Sequence, residues 1–154
     1  MTLAPETLLL HLRLAGVLLA LLVIVHAFVP GRLRWGDELP RLSLVNRQIF
    51  EVHTFFIVLV LALSSTLLLT SSDALLAPSR LSRALLLGLT VFWGLRMLMQ
   101  WFYYSPAVWR GNRFNTVAHC VFSSVWVYMT MTFGAALWSN LSHSAGPLAR
   151  LHEP

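Results

Sequence analysis

The chain has 154 residues, 57% of them hydrophobic and only 11% charged, with a mean hydropathy of +0.71. Soluble domains carry roughly 25% charged residues, so this composition excludes an ordinary soluble domain. It also makes the net charge of +5 a sign of membrane surfaces rather than of nucleic acid. All eleven basic residues are arginine, and ten lie at or beyond expected helix ends, where anionic headgroups are within reach. Arg96 is the exception.

The first apolar run, residues 8–29, reaches the length of about 20 residues that a helix needs to cross a bilayer. No basic region precedes it and no Ala-x-Ala site follows, so it reads as a span and not a cleaved signal. It ends in "PGRLRWGDELPR", rich in turn residues. A second span over 49–70 stops in "SSDALLAPSR", and a third over 81–104 stops at "SPAVWRGNR". The fourth covers 115–138, with "SNLSHSAGPLARLHEP" after it as a polar tail. Short connections make consecutive helices antiparallel. The expected fold is therefore all-α: a polytopic, antiparallel four-helix transmembrane bundle forming a single domain.

Loops 30–48 and 105–114 then share one side, with Arg32, Arg34, Arg41, Arg47, Arg110 and Arg113. The other side has Arg13, Arg80, Arg83 and Arg150. The excess places both loops in the cytoplasm and both termini outside. Trp35, Trp101, Tyr103, Tyr104 and Trp109 form an interfacial belt on the loop side.

This threading gathers His26, Glu51, His53, Arg96, Gln100, Tyr103, Asn115 and His119 in one membrane half. Arg96, Gln100 and Tyr103 stand at i, i+4 and i+7, one helical stripe. Glu51 is the carboxylate in or beside a span on that side, which makes it the preferred counter-ion of Arg96, ahead of Asp37 and Glu38. His53 and Glu51 point roughly 160° apart. His53 is expected to face the bundle, and Glu51 to face Arg47 or a neighbouring helix. The plainer alternatives are that Arg96 snorkels to lipid phosphate and that each histidine satisfies a helix-end carbonyl. One cysteine, Cys120, excludes an intramolecular disulfide and any multi-cysteine metal site. Trp93, Trp126 and Tyr128 read as helix packing, and glycines 16, 88, 94 and 134 as close-approach positions.

No P-loop, dinucleotide glycine pattern, HExxH or nucleophile elbow is present, and no catalytic residue is assigned. Three functions suit the polar cluster. His53 and His119 could ligate a b-type haem, or join His26 around a transition metal, with Arg96, Gln100 and Tyr103 holding propionates, a quinone or a substrate anion. The chain could instead be an accessory or scaffold subunit with a membrane-protein partner. Or Arg96 could clamp an anionic lipid or a hydrophobic carboxylic acid, with His53 or His119 as base.

"LVNRQIFEVHTFFIV" and "FWGLRMLMQWFYYSPAVWRGNRFNTVAHCVFSSVWVYM" resemble a small group of bacterial four-helix inner-membrane proteins. The likeness spans helices two to four; it implies fold and location and carries no function. Helix number and histidine placement are also similar to four-helix haem proteins and the small membrane protoporphyrinogen oxidase, whose signature residues do not align here.

Overall fold

The computed structural model describes the backbone of residues 4–149 and the side chains of residues 4–143. Every regular element among them is helical: α1 (Pro5–Arg32), α2 (Trp35–Glu38), α3 (Leu44–Thr70), α4 (Ser72–Leu76), α5 (Arg80–Phe102) and α6 (Arg113–Ala149). Four of these, α1, α3, α5 and α6, are long and apolar enough to cross a membrane. Helices suit that medium because every backbone N–H and C=O is satisfied within the segment. Many large apolar side chains stay exposed, Leu10, Phe28, Phe55 and Leu98 among them, as they would on a surface that meets lipid.

The helix ends differ from the expected spans for local reasons. α3 starts at Leu44 and not Ile49, because the Ser43 hydroxyl accepts from the Asn46 N–H at 3.4 Å and caps the helix. α5 starts behind a reciprocal Ser79–Ser82 capping box. α1 runs through Pro30 to Arg32. Proline has no N–H to give the His26 carbonyl, and the helix ends half a turn later. The 30–48 loop is itself ordered, with α2 followed by a 3-10 turn over Leu39–Arg41. Its ion pairs, Arg34–Asp37 at 2.9 Å and Arg41–Glu38 at 3.5 Å, are exposed and contribute little. Gly111 takes φ +84° in the turn before α6, a conformation that favours glycine.

The largest departure is past Trp138, where the expected polar tail continues as helix to Ala149. No glycine or proline interrupts residues 138–143, and a buried Asn140 anchors that stretch. Arg150 and His152 lie outside the described residues.

The chain divides into two compact units. One is Leu12–Ser72, containing most of α1 and all of α3. The two helices touch at Gly16, where a Cβ would sit 3.0 Å from Leu68 Cβ and from Leu69 Cγ. The missing side chain lets the Ser65 hydroxyl donate to the Gly16 carbonyl at 2.8 Å. Leu19, Leu22, Leu61 and Leu68 are buried around this contact, whereas no residue from 23 to 60 is buried.

The other unit joins the start of α1, up to His11, with Asp73 onward. Here α5 and α6 run antiparallel. Gln100 meets His119, Trp93 stacks on Trp126 at 5.1 Å, and Ser82 meets Asn140 at 3.2 Å. Gly94 and Gly134 lie at this contact without being required by it: a Cβ on each would make ordinary contacts, 3.7 Å from Thr130 and 3.8 Å from Thr90. The Asn140 amide also donates to the carbonyls of Leu75, Leu76 and Ala77, tying the end of α4 to α6.

Gly16→Val should destabilise the α1–α3 pair by about 1–3 kcal/mol through overpacking, read as a lower unfolding temperature in detergent. Gly88→Val, where nothing lies within 4 Å of the new Cβ, should leave that temperature unchanged.

Candidate functional site

Gln100 sits on the last full turn of α5 and is only 7% exposed. One turn earlier on the same face is Arg96. On α6, His119 and Trp126 share a face at i and i+7, which turns both toward α5. The Arg96 Nη1 and the Trp126 Nε1 each donate to Gln100 Oε1 at 3.3 Å. The Gln100 Nε2 is 2.8 Å from His119 Nδ1.

Guanidinium and indole nitrogens can only donate. Two such donors on one atom fix that atom as the amide oxygen, so the amide nitrogen must donate to His119 Nδ1. The Nδ1 therefore carries a lone pair, and the proton of the neutral ring is on Nε2. Trp109 lies flat on the imidazole, with centroids 4.0 Å apart and planes 13° apart. That indole is held in turn by side chains of α6: Asn115 Nδ2 donates to the Val108 carbonyl at 2.8 Å, and Thr116 Oγ1 to the Trp109 carbonyl at 2.7 Å.

Helical side chains lean toward the N-terminus of their helix. Arg96 reaches the other way. Its guanidinium carbon is 4.8 Å from the Trp126 ring centroid and 5.8 Å from that of Tyr104, eight residues or about 12 Å further along. This is the direction a snorkelling arginine takes toward the helix end. An amide and two aromatic faces satisfy it in part, and none of these partners is acidic. The guanidinium keeps unused N–H groups, and His119 adds its Nε2–H. The cluster thus presents donors and positive charge, the chemistry that receives a phosphate, a carboxylate or a carbonyl oxygen.

Of the expected site residues, this unit brings together Arg96, Gln100 and His119. Tyr103 is 78% exposed and touches Tyr104 edge-on; it is Tyr104 that meets Arg96. Glu51 and His53 belong to the other unit. There Glu51 pairs with Arg47 at 3.9 Å, one turn back on α3. His53 is exposed, and its Nδ1–H donates to the Ile49 carbonyl at 3.1 Å. His26 makes the same bond to Leu22 at 2.7 Å, as His143 does to Ser139 at 2.7 Å. These three rings leave a lone pair on Nε2, the opposite tautomer to His119. No three His, Cys, Asp or Glu residues gather as a metal-binding set among the described residues. Cys120 is exposed. Sequence reading missed Trp109, Trp126 and Tyr104 as site members, although the i, i+7 spacing of His119 and Trp126 was a usable signal.

Nitrogen-15 NMR of histidine-labelled protein should find His119 protonated at Nε2 and His26 and His53 protonated at Nδ1. Gln100→Leu should remove the preference of His119 alone. Comparison with protein-family models, curated proteins and solved structures gives no match, so function rests on the chemistry of the site.

Proposed function

We propose that this is a polytopic protein of the bacterial inner membrane that binds the anionic head of an amphiphile at its cytoplasmic face. Its four long helices thread the bilayer up and down, with loops 30–48 and 105–114 in the cytoplasm. The observation that carries the reading is the donor-only character of the Arg96–Gln100–His119 cluster. Arg96 contacts Gln100, Trp126 and Tyr104, none of which offsets its charge. A half-buried cation at membrane depth is costly and finds an anion or water. The planar guanidinium supplies two parallel N–H groups for a phosphate or carboxylate, and His119 Nε2–H adds a third donor. Gln100 positions both.

The haem and metal readings are less well supported by the same geometry. A coordinating imidazole needs its lone pair on the metal-facing nitrogen. His26 and His53 have Nε2 lone pairs, whereas His119 has a proton there. A second reading, an accessory subunit in a membrane complex, is favoured by the stretch from 23 to 60, in which no residue is fully buried.

Purified protein in nanodiscs should prefer phosphatidylglycerol to phosphatidylcholine. Arg96→Gln should reduce that preference about tenfold or more, the loss of a charge-assisted pair. Arg96→Lys should fall between, since it keeps charge and loses the fork. Wild-type preference in Arg96→Gln would overturn the proposal, as would a stoichiometric Soret band in protein produced with haem supplied.

A further inference from the structure

The α6 surface beyond His119 carries a groove that the polar cluster does not use. Its first part, about 560 Å³, is lined by Trp101 of α5 and by Ser123, Val127 and Met131 of α6. A second part, about 240 Å³, shares Tyr128 and Met131 with the first and ends at His11 and Ala135. His119, Ser123, Val127, Met131 and Ala135 follow one another at intervals of four residues, a single ridge row of a helix. The groove therefore begins one turn from the imidazole and follows its row. From Ser123 to Ala135 it runs about 18 Å, close to half of a hydrocarbon core about 30 Å thick. That is the depth of one leaflet.

Two polar features of this groove differ. At the far end, His11 Nδ1 and Tyr128 Oη satisfy each other at 2.9 Å. At the near end, the Ser123 hydroxyl is buried without a hydrogen-bond partner. Ser124, Thr130 and Ser142 of the same helix each donate to the carbonyl four residues back. Ser123 does not, and its hydroxyl lies about 6 Å along the helix from the donor cluster. In a glycerophospholipid the acyl ester carbonyl stands just inside the phosphate, as this hydroxyl stands just inside Arg96 and His119.

We infer that the groove holds one acyl chain of an anionic glycerophospholipid from the leaflet beside Trp109. The phosphate meets Arg96 and His119 Nε2–H, an ester carbonyl accepts from Ser123 once its buried, unpartnered hydroxyl turns about χ1 into the groove that the residue lines, and the chain lies along Val127 and Met131 to Ala135. This rests on the head-binding reading above and adds which amphiphile fills it. A free fatty acid brings a charge for Arg96 and no second carbonyl for Ser123. A quinone brings carbonyls and no charge.

Native mass spectrometry of the full chain, with dioleoyl phosphatidylglycerol, dioleoyl phosphatidylcholine and oleate as probes, tests the inference. The wild type should retain phosphatidylglycerol in preference to both others. Met131→Trp fills the groove and should lower that retention about tenfold. Ser123→Ala removes one hydrogen bond and should lower it about threefold. It removes one buried oxygen that has no hydrogen-bond partner and adds no bulk, so it decides the matter if the tryptophan variant unfolds. Wild-type retention in Ser123→Ala and in a folded Met131→Trp, with Arg96→Gln still deficient, overturns the groove assignment and leaves the head site standing. Loss in the groove variants with no effect of Arg96→Gln overturns the head site, and this inference with it. Oleate held as tightly as phosphatidylglycerol overturns the choice of a glycerophospholipid.

Discussion

The orientation of one side-chain amide determines the chemistry of the α5–α6 site. Gln100 is buried, and its oxygen is committed to two groups that can only donate. Two consequences follow: the amide nitrogen must face His119, and the neutral imidazole must hold its proton on Nε2. Unsatisfied polar groups are expensive when buried, so turning the amide round would set its nitrogen against the Arg96 and Trp126 donors. The network is self-consistent in one arrangement only.

Aromatic rings complete that arrangement where ion pairs would in a soluble protein. Trp126 lies under the guanidinium while also donating to Gln100, and Trp109 lies flat against His119. The rings pack against both groups and leave the guanidinium charge in place. A carboxylate in the same place would have neutralised the guanidinium, whereas an indole leaves the positive charge in force.

The all-helical class and the four long helices were legible because long apolar runs leave a chain few other structures. Four apolar runs of spanning length, separated by Pro, Gly and Arg, were visible directly. The end of α6 was not, since "SNLSHS" is polar enough to read as a tail. Only the burial of Asn140 against the α4 carbonyls shows why helix persists there. In the site, Arg96 and Gln100 were legible as a polar stripe and His119 as a histidine at matching depth. Tyr103 was chosen over Tyr104 because stripe arithmetic favours i+7, while a long arginine side chain reaches to i+8. Trp126 was read as packing, which is half its role; its N–H is the other half. The pairing of Glu51 with Arg47 was legible as one turn of a helix.

The positive, donor-only surface also bears on ion movement. A pathway that conducts protons or metal cations needs acceptor atoms along it, carbonyls, carboxylates or free imidazole nitrogens, to replace water one step at a time. At the mouth of the α5–α6 hairpin the one imidazole acceptor is spent on Gln100, and the guanidinium raises the local potential against any cation that enters. Like the arginine that keeps protons out of water channels, Arg96 makes this end of the hairpin an electrostatic barrier. An anion bound there, as proposed above, would not by itself open a route for protons.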